Sequence, residues 1–393
     1  MWREEQCVSE QGPGDSRSPW WERLTEDFWR QADGTELDAR HRLKIQGSAA
    51  IERVMRTSLS ATVAASALAT LAKPGRLQRE FEALRFYEPL ARAADASHVF
   101  LPPPKDIVIE ERALPGREIR RFQLRFASPF KPLNPFARPQ FEAMQRNASA
   151  HAQYWCHDDR PRPTLIVIHG FAADPHWLNA HALSLADFYR RGYDILLFTY
   201  PHHGRRAEQG DWFSGQGLFG RGLVAFNEAP LHAIHDLRVF IDYLQGRGVE
   251  QIGVTGISLG GYTAALLASV DERLGWCVPI VPAVSPVDVF LEWQPTGVLL
   301  SQLMRSQGIG VAEMRGLLAV HNPLTYAPRL DGERMLIIGG AGDRVTMPRH
   351  LRLLHRHWPG SALHWFPGNH ILHLGRGDYL ARMGQLMDRY SGL

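Results

Sequence analysis

The feature that most constrains the fold is an alternation that begins near residue 164. Five short apolar runs, at 164–168, 195–200, 252–255, 276–281 and 335–338, are separated by stretches of helical character such as 228–244 and 262–269. An apolar run of this length without polar alternation suits a strand covered on both faces, as the strands of a parallel sheet are. Interleaving such strands with helices gives an α/β architecture, a mostly parallel central sheet with helices on both faces. Ahead of it, Ile107-Val108-Ile109-Glu110 and residues 119–126 read as short strands around a turn at Pro115-Gly116.

The flanks of this pattern differ from its body. Residues 1–104 show no dependable strand pattern; helices are expected at 48–72 and 77–94, broken at Pro74-Gly75, and Pro102-Pro103-Pro104 closes the region like a linker. The expected organisation is a helical N-terminal extension over 1–104 and an α/β domain over 105–393. A mainly apolar, helical insertion interrupts that domain at about 284–331. The sixteen uncharged residues 57–72 are rich in Ser, Thr and Ala, and fall short of the roughly 20 apolar residues that span a bilayer. A buried or interfacial helix is expected there, with no transmembrane segment; peripheral membrane contact stays open.

Composition narrows the function classes. With 45% hydrophobic and 22% charged residues the chain is not mainly disordered. Its 44 basic against 41 acidic side chains leave a formal charge of +3, too little for a nucleic-acid-binding field. Cys7, Cys156 and Cys277 have no motif spacing, which suggests a reducing compartment. The start, Met1-Trp2-Arg3-Glu4-Glu5, lacks the apolar run of a secretory signal. A soluble, cytoplasmic protein is expected; the oligomeric state has no signature.

The chemistry-bearing motif is Gly256-Ile257-Ser258-Leu259-Gly260, which fits G-x-S-x-G between a strand and a small-residue helix. A serine on so sharp a turn exposes its hydroxyl. Flanking glycines avoid collision with neighbouring backbone, and the following helix aims free N–H groups at the reacting centre. An activated serine needs a base, and the base an orienting acid. Asp343 follows the strand at 335–338 in a glycine-rich loop, and His370 follows twenty-seven residues later in Pro367-Gly368-Asn369-His370. The order Ser258, Asp343, His370 is that expected at the carboxyl edge of one sheet.

On these motifs the chain, over about residues 105–393, resembles the α/β-hydrolase superfamily. The resemblance implies an acid after the strand that follows a cap insertion, and a histidine in a late Gly-Gly-His-like loop; Asn369 departs from the second glycine. Asp288 is the rival acid and His373 the rival base. His169-Gly170-Phe171 resembles the family's His-Gly-X oxyanion element, which implies an oxyanion hole from the N–H groups of Phe171 and Leu259. In Tyr200-Pro201-His202-His203-Gly204-Arg205-Arg206 the turn is mostly architectural. Its His202, His203, Arg205 and Arg206 could clamp a carboxylate or phosphate, against a solvated or salt-bridged loop.

Other signals are set aside. Gly215-Gln216-Gly217-Leu218-Phe219-Gly220 matches G-x-G-x-x-G without a preceding strand, so no dinucleotide is expected. His232 and His235 read as polar-face residues of a helix rather than metal ligands, and neither metal nor other cofactor is expected. The resulting expectation is a serine hydrolase cleaving carboxylic esters, small-molecule or lipid-like, through an acyl-enzyme. Thioester, amide or acyl-transfer chemistry uses the same constellation, and a non-catalytic binding protein on this fold is the alternative from another class. The apolar insertion, with Val287, Val289, Phe290, Leu291, Trp293, Val298, Leu299, Leu300, Leu303 and Met304, is expected partly to pack on the core and partly to line a pocket for medium or longer acyl chains.

Overall fold

The computed structural model describes residues 18–31, 42–116 and 118–393, so Cys7 and the acidic start lie outside the described residues. Nine described strands form one sheet: β1 Glu110–Leu114, β2 Arg120–Ala127, β3 Ser149–Cys156, β4 Thr164–Ile168, β5 Asp194–Thr199, β6 Ile252–Ile257, β7 Trp276–Ile280, β8 Leu336–Gly340 and β9 Ala362–Phe366. Their spatial order is β1-β2-β3-β5-β4-β6-β7-β8-β9. Pairing is antiparallel from β1 through β3 to β5, and parallel from β5 to β9.

The apolar runs are strands because both faces of the sheet are covered. Leu165, Val167, Ile195 and Leu197 point into one core layer with Phe188, Tyr379, Met383 and Met387. Ile166, Ile168, Leu196 and Phe198 point the other way, into the layer with Ile234, Leu237, Ile241, Ala264 and Leu267. Alternate residues of one strand thus serve opposite cores, so polar alternation would be costly on either side.

The helices that matter for the site are α1 Arg42–Leu71, α2 Leu223–Gly246, α3 Leu259–Val270, α4 Pro286–Glu292, α5 Thr296–Ser306, α6 Val311–Leu317 and α7 Arg376–Ser391. Helices α4 to α6 occupy the expected insertion. The N-terminal residues pack on the sheet domain: Trp20, Trp21 and Tyr87 join its main core, Tyr87 Oη donates to Glu228 at 2.5 Å, and Ser60 Oγ lies 2.9 Å from Thr296 Oγ1 on α5. On α1 a stripe with Glu52, Ser60, Val63 and Leu71 is buried while Val54, Met55 and Leu68 are exposed. Its part Glu52–Leu71 is long and apolar enough to cross a membrane by length and composition, a longer stretch than the sixteen residues read from sequence.

One strand expectation needs correction, and one strand went unread. Strand β1 begins at Glu110, where 107–110 was expected, and Val108 ahead of it is 83% exposed. Strand β3 has no counterpart in the sequence reading. Its alternation pairs buried Ala150, Ala152 and Tyr154 with polar His151 and Gln153, and Ala, His and Gln give little strand signal.

Chain direction sets the location of the site. After β4 the chain moves to β5 on one side, then returns to β6 on the other. The loops leaving β4 and β6 therefore flank the topological switch point, where open α/β sheets bind ligands outside their strand carboxyl ends.

Candidate active site

Ser258 sits between β6 and α3 with φ +58° and ψ −114°, a region costly for a residue with a side chain. The turn is held on both sides: Ser258 N donates to Ile280 O at 2.9 Å, and Tyr262 N donates to Ser258 O at 2.8 Å. Glycine is required beside it. A Cβ on Gly260 would stand 2.0 Å from Ile168 O, and one on Gly256 2.4 Å from the Gly260 carbonyl. The packing of the elbow against β4 thus explains both glycines of the motif.

Asp343 lies in the loop after β8 and is buried. Its Oδ1 accepts the Val345 and Thr346 N–H groups, each at 2.8 Å, and Oδ2 lies 2.8 Å from His370 Nδ1 and 2.9 Å from Thr346 Oγ1. A carboxylate beside Nδ1 accepts, so that nitrogen carries the proton and Nε2 is left with its lone pair. Burial opposes charging of His370, but the Asp343 carboxylate, its hydrogen bond and Glu52 outweigh it, so the pKa is raised above the ordinary histidine value. Asn369 builds the turn that presents the ring: its Oδ1 accepts from Ile371 N at 3.0 Å and Leu372 N at 2.7 Å, an Asx turn. Among the described residues no hydrogen bond joins Ser258 Oγ to His370 Nε2, and such bonds are often long in unliganded sites.

The rivals are otherwise engaged. Asp288 is buried in an ion pair with Arg315, at 2.6 and 2.9 Å, and accepts from Ser285 Oγ at 2.5 Å. His373 lies 2.7 Å from Tyr379 Oη through Nδ1 and 3.1 Å from His370 O through Nε2, and burial lowers its pKa to about 4.

In the loop after β4, His169 Nε2 accepts from Tyr200 N at 3.0 Å, so Nδ1 donates to Gly170 O at 2.7 Å. This ties the loop to the end of β5 and uses both ring nitrogens, so His169 shapes the loop. Burial lowers its pKa to about 3. Phe171 and Leu259 both line the pocket that holds Ser258. As the first residue of α3, Leu259 has an N–H that a helix leaves without an internal partner.

The anion-clamp reading of the next turn is corrected by burial. Arg206 is completely buried, 2.8 Å from Asp236 and 2.8 Å from His232 Nε2, and it donates to Asn147 O and Thr199 O. His202 and His203 are also buried, and desolvation keeps both neutral, His203 at about 4. Arg205 alone is exposed. The polar-face reading of His232 fails for the same reason: its ring is buried, stacked on Phe130, and part of the Arg206–Asp236 network. Among the described residues no three His, Cys, Asp or Glu side chains are grouped as metal ligands.

Above Ser258 lies a cavity of about 70 Å³, lined by Phe171 and Leu259, by Phe219, by Val289, Phe290 and Trp293 of and after α4, and by Thr346. Its walls are almost wholly apolar. Leu291, Leu300 and Met304 of the insertion pack into the core instead, so the insertion divides its apolar surface between core and cavity.

Strand order and elbow together define the α/β-hydrolase fold. Residues 176–304 match the family model described as alpha/beta hydrolase domain containing 18, a span that includes Ser258 but ends before Asp343 and His370. An uncharacterized protein of Mycobacterium tuberculosis (strain ATCC 25618 / H37Rv), Rv2627c, is 28% identical over 314 residues, covering 75% of this chain and 71% of the relative. Acetyl xylan esterase 1 from Thermoanaerobacterium sp. JW/SL YS485 shares the fold with a TM-score of 0.56 at 18% identity, over 79% of this chain and 94% of that one.

Proposed function

We propose that the protein is a serine hydrolase that cleaves carboxylic esters of short apolar acyl groups through an acyl-enzyme on Ser258. The observation that carries this reading is the His370–Asp343 pair at the same sheet edge as a serine held at φ +58°. In the proposed reaction Ser258 Oγ attacks the ester carbonyl while His370 Nε2 takes its proton. Asp343 holds the Nδ1–H and stabilises the imidazolium that forms. The oxyanion meets the N–H groups of Phe171 and Leu259 at the positive end of α3. His370 then returns the proton to the leaving alkoxide. Water, deprotonated by the same nitrogen, hydrolyses the acyl-enzyme and frees Ser258.

The apolar cavity supports an acyl site, though a smaller one than the insertion's composition suggests. On the scale where a cavity of about 150 Å³ admits benzene, one of about 70 Å³ takes an acyl chain of roughly three or four carbons. Hydrolysis of p-nitrophenyl butyrate by the wild type and by Ser258→Ala tests the proposal. The variant should lose several orders of magnitude in kcat with an unchanged melting transition. Retained turnover would sink it.

A further inference from the structure

Glu52 lies in the N-terminal half of α1, far in sequence from the candidate site, and its carboxylate is buried. Oε2 accepts the N–H of Arg344 at 2.5 Å, and Oε1 accepts the N–H of His370 at 2.6 Å. One carboxylate therefore joins the residue after the candidate acid to the candidate base itself. One turn further along α1, Arg56 Nη1 donates to the carbonyl of Arg344 at 2.6 Å. Residues four apart on a helix share a face, so the two side chains reach the same loop together. Arg344 is gripped at its N–H by one and at its carbonyl by the other. The backbone also joins the loops after β8 and β9, with Ala341 N donating to Phe366 O at 3.0 Å and Gly342 N to Gly368 O at 2.7 Å, but these bonds end before Arg344 and His370, whose N–H groups meet the Glu52 carboxylate.

We propose that Glu52 and Arg56 are positioning residues: the N-terminal helix clamps the acid loop to the histidine loop, and so sets the Asp343–His370 geometry. This rests on the serine-hydrolase reading given above. The clamp's chemistry demands a carboxylate. Two backbone N–H donors aimed at one side chain need two acceptor oxygens, and glutamine offers one oxygen plus an NH₂ that would face the second donor. Aspartate is shorter by one methylene and cannot span both loops without moving one.

The charge has a second consequence. Asp343, Arg344 and His370 face Glu52 from the two loops, Arg53 and Arg56 stand on its own helix, and Glu292 of the cap faces Arg56. Burial, and next the Asp343 charge, raise the Glu52 pKa to about 7, so the side chain is mostly ionised at pH 8.5. Its negative charge in turn favours the imidazolium of His370.

The test compares wild type, Glu52→Gln, Arg56→Met and Ser258→Ala on p-nitrophenyl butyrate at pH 8.5, with a pH profile for the first two. The clamp predicts that Glu52→Gln loses roughly 10–100-fold in kcat, the scale of a small misplacement of reacting groups, with KM within about twofold. The acid limb of its kcat/KM profile should move to lower pH, because the charge that favours His370⁺ is gone. Arg56→Met should lose kcat by a smaller factor, also at constant KM. If Glu52→Gln keeps both kcat and acid limb while Ser258→Ala is inactive, the clamp is overturned and the serine reading stands. If Ser258→Ala stays active, both fall. Should Glu52→Gln fail to melt cooperatively, Arg56→Met decides: a several-fold fall in kcat supports the clamp, and an unchanged kcat overturns it.

Discussion

His370 Nδ1 and Asp343 Oδ2 stand 2.8 Å apart, and Asp343 Oδ1 is held by two backbone N–H groups of its own loop. The carboxylate is fixed before it meets the imidazole, so the ring's tautomer and direction follow from the loop's fold. That preorganisation is the property a base needs if it is to act without rearrangement.

The first prediction separates this pair from its rivals. His370→Ala should lose about three orders of magnitude or more in kcat/KM, and Asp343→Asn somewhat less. His373→Ala should stay within about tenfold of wild type, since that ring bonds Tyr379 and a carbonyl. Asp288→Asn should behave differently again. It leaves Arg315 buried without its full partner, so the expected loss is of stability, about 3–5 kcal/mol in a denaturant melt, while the folded fraction still turns over.

The pH dependence has a definite sign. In the proposed mechanism the competent base is neutral His370, whose pKa is raised because Asp343, their hydrogen bond and Glu52 outweigh burial. Activity should therefore fall as pH drops through a value above about 6.5, the ordinary histidine pKa. Asp343→Asn should move that limb to lower pH. A limb at pH 5 in the wild type would contradict the assignment.

The proposed reading ties acyl-chain selectivity to the cavity. Activity on p-nitrophenyl esters should peak near propionyl or butyryl and fall from hexanoyl onward. Phe219 forms one wall, with its ring against Phe171, Phe226 and Phe290. Phe219→Ala should shift the optimum toward longer chains. An optimum at octanoyl or beyond in the wild type would mean that the cap opens further than this cavity.

What could be read from the sequence depended on the range of the contact. The elbow was legible because strand, turn and helix are contiguous, although the collisions that Gly256 and Gly260 avoid include the Ile168 carbonyl on β4, far away in sequence. Asp343 and His370 were legible as strand-end residues in the right order. The contacts that occupy Asp288 and His373, Arg315 and Tyr379, are not local to either motif and had no signal in the sequence. Strand β3 was hidden by its alanines, and the burial of Arg206 by Asp236, thirty residues distant. Glu52 carried no signal: a single acid between Ile51 and Arg53 on a helix looks like any solvated face. Its partners lie 292 and 318 residues away, and no local periodicity reports contacts of that range.

Covalent labelling with a fluorophosphonate tests the central claim most directly, because only a serine activated by a neighbouring base reacts quickly. Peptide mass mapping of the labelled wild type should place one phosphonyl adduct on Ser258. Ser258→Ala should take up none, and His370→Ala should label far more slowly. No adduct on the folded wild type, or an adduct on another residue that persists in Ser258→Ala, would contradict the account.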